Sequence, residues 1–142
     1  MVRVLKPGGK IATSVWNAPG KNFWVTAIME TISRNIELTS PLPGSPGMFR
    51  CAKDGFISDI FIQAGLKNIT QKEIAGKMNF KTIDVYWSMM TEVVSLVVAA
   101  LSKADDKLKN KIMKEVYHAL NQKYSDGDIL LDSSAFVIYG EK

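Results

Sequence analysis

Few side chains in this 142-residue sequence can serve as nucleophile, base or metal ligand, and those few stand apart. The single cysteine, Cys51, and the single histidine, His118, are far from each other along the chain. A zinc site needs several thiolate or imidazole donors that converge, which two residues cannot supply. Nothing in the sequence supports a Cys/His nucleophile pair, and His118, beside Tyr117 on a helical stretch, reads as a solvated or core-edge histidine. Lys6-Pro7-Gly8-Gly9-Lys10 lacks the spacing of a phosphate loop and leads into a strand instead of opening a helix; no G-x-G-x-x-G occurs. Aromatic surface is better represented. Trp16, Trp24 and Trp87, with Phe23 and Phe49, furnish the walls of an apolar pocket or the packing of an ordinary core.

Composition narrows the class without naming a function. A 46% hydrophobic and 23% charged sequence is that of a globular protein, and its length suits one domain. The net charge of +4 is modest. Its densest stretch, residues 103–123, interleaves Lys107, Lys109, Lys111 and Lys114 with Asp105, Asp106 and Glu115, the pattern of a solvated helix face and not of a nucleic-acid surface. A lone cysteine excludes an intramolecular disulfide and fits a reducing compartment. The start of the sequence lacks the apolar core of a signal peptide, so a cytoplasmic location is expected. The most apolar run, 93–101, is far short of the ~20 residues that cross a bilayer, and no membrane partner is expected.

The elements that must position these residues follow from periodicity and punctuation. Residues 10–16 form a strand whose near-continuous apolar and small residues suit cover on both faces. Pro7 and Gly8-Gly9 write a tight turn before it. After the turn at 17–20, Asn22 stands where a helix cap belongs, and Trp24, Ala27, Ile28, Ile32 and Ile36 follow at helical spacing, ending near Leu38. Prolines and glycines over 39–47 exclude regular structure and leave a loop able to act as a flap. A second helix spans 53–64, with Gly65 as its left-handed cap. From Leu66 the chain is extended; Ile74, Gly76, Met78 and Phe80 alternate with polar residues, Gly76 suiting a bulge. Thr82 caps a third helix running through Leu101, and a fourth spans 105–124 with acids in its first turn. A turn at 125–128 precedes extended segments at 129–131 and 135–139.

Several of these segments resemble one family. Arg3-Val4-Leu5-Lys6-Pro7-Gly8-Gly9 and the strand after it look like the stretch that precedes strand five of class I S-adenosylmethionine-dependent methyltransferases. The helix-to-strand junction 59–69, containing Ala64-Gly65-Leu66, resembles the family's "AGF" junction, and Asp84-Val85-Tyr86-Trp87 its "eeYW" helix start. Asp126-Gly127-Asp128 followed by residues 133–142 resembles its last strand. Together they are most similar to the small-molecule enzymes related to quinone biosynthesis.

The resemblance implies an α/β fold that is part of a Rossmann-like methyltransferase: strands five, six and seven with lid helices, and an antiparallel final strand in a mixed sheet. Residues 1–142 are then one domain, the C-terminal half of the enzyme, with a helical lid over 82–124. The family sheet runs 3-2-1-4-5-7-6, and the cofactor is held by motifs around strands one to four, none of which has a counterpart here. No cofactor-binding or catalytic residue transfers, and the chain alone is expected neither to bind S-adenosylmethionine nor to be active. Trp16 and Asn17, at the carboxyl end of the first strand, then face the ligand crevice; Phe49, Arg50 and Trp87 are further substrate-lining candidates. Arg50 could pair an anionic substrate or a surface carboxylate. The first strand, lacking strand four beside it, presents an open edge. Self-association through that strand is expected, unless the N-terminal half is supplied. An alternative is a stand-alone α/β binding or dimerisation module without catalysis.

Overall fold

The computed structural model describes residues 2–38, 45–124 and 128–142. Most of the flap expected over 39–47 and of the turn over 125–128 lies outside the described residues. The described chain is mixed α/β, with five helices and a three-stranded antiparallel sheet in the order β1-β3-β2. The strands are β1 (Lys10–Trp16), β2 (Lys67–Asn79) and β3 (Leu130–Glu141). The helices are α1 (Phe23–Asn35), α2 (Phe56–Gln63), α3 (Ile83–Glu92), α4 (Ser95–Leu101) and α5 (Asp106–Lys123). The chain divides into two compact units. One holds 1–21, 44–76 and 134–142; the other holds 22–43 and 77–133.

In the first unit, β1 pairs antiparallel with β3 from Lys10 opposite Glu141 to Trp16 opposite Ala135. The turn before β1 depends on its glycines. Gly9 donates its N–H to the Lys6 carbonyl at 2.8 Å, and a Cβ on Gly9 would lie 2.8 Å from that same oxygen. Gly8 adopts φ 74°, which suits glycine, and donates to the Lys142 carbonyl. The core of this unit is small: Phe61, Leu66 and Ile138 are buried, with Ile11, Val15 and Ile69 among the side chains packed against them.

That core corrects the expectation for the first strand. No residue of β1 is buried; Ile11, Thr13 and Val15 are half-buried and Ala12 and Ser14 exposed. The strand is therefore covered on one face, because Phe61 of α2 brings apolar cover to the Ile11 and Val15 side. The opposite face shows Tyr139, the cross-strand partner of Ala12, 39% exposed.

The expected helix over 53–64 is shorter because Gly55, at φ 76°, breaks its first turn; Gly65, at φ 82°, ends it as expected. Segments 129–131 and 135–139 join into one strand. The intervening Asp132-Ser133-Ser134 has little strand propensity, but Ser134 is held on one side by Asn17, just past the end of β1, and on the other by Glu73 of β2, and such tertiary contacts override propensity.

In the second unit, α1 begins after Asn22, yet the Asn22 side chain does not cap it. Its Oδ1 accepts instead from the Trp24 indole at 3.2 Å. The helix stops at Asn35, where Ile36 turns extended. Thr82 caps as its sequence position predicts, accepting from the Val85 N–H; Asp105, expected only as an acid at the start of its helix, caps α5 by accepting from the Leu108 N–H.

The largest departure is the helix expected from Thr82 to Leu101. It divides into α3 and α4, bent by 83°. Val94 is extended at φ −83°, ψ 97°. Thr91, Val93 and Val94 are β-branched and cost little to take out of a helix. The bend lets Val94, Val97, Ala100 and Leu101 all be buried while α4 packs on both α1 and α3. Among the described residues no single helix is long and apolar enough to cross a membrane.

Candidate functional site

The carboxyl end of β1 is held by a chain of hydrogen bonds. Asn17, 4% exposed, donates its backbone N–H to the Ser134 carbonyl at 3.0 Å and its side-chain amide to the Ser134 hydroxyl at 3.1 Å. Asn17 Oδ1 accepts from the Ala18 N–H at 2.7 Å. The Ser134 hydroxyl donates in turn to Glu73 Oε1 at 2.8 Å, and Lys21 Nζ lies 2.8 Å from both Glu73 oxygens. Hydrogen bonds from Lys21 first and Ser134 second hold the Glu73 carboxyl below its usual range. A carboxylate on a serine hydroxyl is half of a nucleophile arrangement. Here the serine is buried and its hydroxyl is committed to Asn17 and Glu73, so the group clamps β1 to β3 and β2.

Beside that clamp lies a recess of about 350 Å³ lined by Ser14, Val15, Trp16, Met48, Cys51 and Ala135. Its walls are mostly apolar, Trp16 among them. Phe49 and Arg50 stand in the turn that carries Met48 and Cys51, closed by Arg50 N–H to the Gly47 carbonyl and Ala52 N–H to the Phe49 carbonyl. Neither lines the recess. Arg50 is exposed and Phe49 half-buried.

Trp87 belongs to the second unit. It lines a larger recess, about 630 Å³, between α3, α4 and α5. Its indole meets the Tyr117 ring edge-on, centroids 6.4 Å apart, and the Tyr117 hydroxyl donates to Asp84. Burial, then Asp84, pushes the Tyr117 hydroxyl up to about 12. One position earlier on α3, Tyr86 points into the core, fully buried, with its hydroxyl on the Trp24 carbonyl at 3.0 Å. Burial pushes that hydroxyl far above its ordinary value. Neighbouring residues on one helix thus differ by a 100° rotation in role: Tyr86 anchors, Trp87 faces the recess.

No protein-family model matches the chain, and no curated protein does. Of the five residues expected to line a site, Trp16 and Trp87 do line recesses, one in each unit. Asn17 ties strands, and Phe49 and Arg50 flank the smaller recess. Glu73, Lys21 and Ser134 were not legible as a group, since 52 residues separate Lys21 from Glu73 and 61 separate Glu73 from Ser134. Met48 and the polar side chains of α5 carried no signal either; only the fold brings them to a cavity. Among the described residues no three His, Cys, Asp or Glu side chains gather as metal ligands would.

Proposed function

We propose that residues 1–142 form the substrate-facing, C-terminal part of a class I S-adenosylmethionine-dependent methyltransferase that acts on a small molecule. One observation carries the proposal: the strand order β1-β3-β2, with β1 antiparallel to β3, is the order 5-7-6 that the sequence resemblance assigns to these strands. A meander of three sequential strands would instead run β1-β2-β3. The exposed face of β1 and β3, with Ala12 and Tyr139 bare, also suits a sheet that is covered by a part of the enzyme outside these residues.

In this proposal S-adenosylmethionine supplies the methyl group, and the residues that hold it come from outside 1–142. What this chain contributes is position. Such transfer depends on bringing the acceptor atom to the methyl carbon in line, so the wall at Trp16 sets which acceptor fits and the Asn17–Ser134–Glu73–Lys21 clamp keeps that wall fixed. The outer edge of β1 is the pairing edge for the strand that the family places next to it. Without that strand, two copies of the chain pair there.

Calorimetric titration of these 142 residues with S-adenosylmethionine is expected to give no binding heat. The complete reading frame that contains them is expected to encode a strand followed by a glycine-rich loop and to bind with a micromolar constant. A complete frame that binds no S-adenosylmethionine refutes the proposal; tight binding by residues 1–142 alone refutes the division of labour.

A further inference from the structure

We propose that the recess between the last turn of α1 and the second half of α5 binds a small organic carboxylate. The inference uses side chains of the second unit alone and stands or falls independently of the methyltransferase proposal. The recess encloses about 340 Å³, at the lower end of the range for small-molecule sites. On α5, Lys114 and His118 alternate with Glu115, Ala119 and Gln122 at spacings of three and four, so they share one side of the helix. Arg34, in the last turn of α1, stands on the other side of the recess, and α1 packs on α5. Ala119 is the one lining residue with a short side chain, which leaves a hollow among longer neighbours.

The lining carries two cations, Arg34 and Lys114, against one carboxylate, Glu115. Among the described residues neither cation belongs to an ion pair. Glu115 is already engaged: its Oε2 accepts from the Asn35 amide at 2.7 Å in a partly buried bond, and its Oε1 lies 3.7 Å from Lys111 Nζ. Donors therefore outnumber acceptors around the hollow. Arg34 gives one N–H to the Thr31 hydroxyl at 3.0 Å and keeps the rest of its fork. Lys114 adds a compact ammonium. The Gln122 amide nitrogen lies 2.9 Å from His118 Nε2; with that ring nitrogen accepting, one amide N–H is used and the other is left. A guanidinium fork beside an ammonium fits a carboxylate, which accepts two parallel bonds from the fork. Counting His118 as neutral, the two cations and one carboxylate leave a net charge of +1, which matches a monoanion. A dianion keeps an uncompensated charge beside Glu115.

The probe is benzoate, titrated into the isotope-labelled chain and followed by amide and side-chain NMR signals, with benzamide as its neutral counterpart and phenyl phosphate as a mostly dianionic one. Benzoate is expected to bind with a constant on the order of 1–10 mM, the largest shifts falling at Ala119, Gln122 and the Arg34 guanidinium. Benzamide and phenyl phosphate are each expected to bind about threefold more weakly or worse. Arg34→Lys keeps the charge and loses the fork, and is expected to weaken benzoate about threefold, as is Lys114→Gln, which loses the charge. Ala119→Leu fills the hollow and is expected to weaken it about tenfold. Lys107→Gln, on the same helix and outside the lining, leaves binding unchanged. All four positions are exposed, so the fold tolerates each change. Absence of saturable shifts, shifts centred on another recess, benzamide or phenyl phosphate binding as tightly as benzoate, or equal effects of Lys107→Gln and Lys114→Gln overturn the proposal.

Discussion

Tyr86 and Trp87 are adjacent on α3, yet one is core and the other lines a recess, and their substitutions should differ in cost. Tyr86 is 0% exposed, its ring meets Phe80 edge-on at 5.0 Å and its hydroxyl donates to the Trp24 carbonyl. Tyr86→Phe removes the hydroxyl and keeps the ring, so its cost is that of one buried hydrogen bond, about 1 kcal/mol. For a chain of this length that lowers the melting temperature by roughly 4 °C. Tyr86→Ala also leaves a cavity, and large-to-alanine changes of that kind cost about 3–5 kcal/mol. Trp87 is half-buried; Trp87→Ala loses its edge contact with Tyr117, about 0.5–1.5 kcal/mol, plus part of its apolar cover. Urea unfolding followed by far-ultraviolet circular dichroism measures all three without relying on tryptophan emission. The expected order is Tyr86→Ala well above Trp87→Ala, with Tyr86→Phe smallest. A Trp87→Ala cost equal to that of Tyr86→Ala would show that both residues are core, and the assignment of Trp87 to the recess would fall.

Glu73 has a folded-state pKa below its ordinary 4.5, so its contribution is present above that value and is lost as pH falls through the folded pKa. Glu73→Gln is therefore expected to be less stable than wild type at neutral pH, with the gap closing below pH 4.5 in acid-dependent urea titrations; a gap that widens in acid contradicts the clamp. Gly9→Ala places a Cβ 2.8 Å from the Lys6 carbonyl and should destabilise by about 1–3 kcal/mol, whereas Gly20→Ala, with no atom within 4 Å, should be near neutral by thermal melting. Sedimentation velocity of the 142-residue chain should show a dimer that the double variant Ala12→Lys with Ser14→Lys converts to monomer, because opposed lysines block edge pairing; a wild-type monomer removes self-pairing of β1.

The boundaries of β1, the cap at Thr82 and the left-handed Gly65 were all legible in the sequence, because each depends on residues within one or two turns of chain. The strand order and the recesses were not. Position 94 shows why most directly: the spacing from Ile83 to Leu101 satisfies one long helix, and only the chance to bury Val97, Ala100 and Leu101 while α4 packs on α1 and α3 makes an 83° bend at weak helix formers the better solution. Asp132-Ser133-Ser134 is the converse, a poor strand by propensity that is held extended where Ser134 bonds to both Asn17 and Glu73.

By itself, then, the sequence determined local geometry: where glycine must reverse the chain, where a side chain must cap a helix, which helix faces are apolar. Those choices rest on steric limits and hydrogen bonds between near neighbours. Tertiary structure alone decided that one face of β1 stays open, that Asn17, Ser134, Glu73 and Lys21 form one clamp, and that Trp16 and Trp87 line different recesses. Each of those facts requires residues tens of positions apart to meet, and no spacing along the chain encodes which distant surfaces gain most by covering one another.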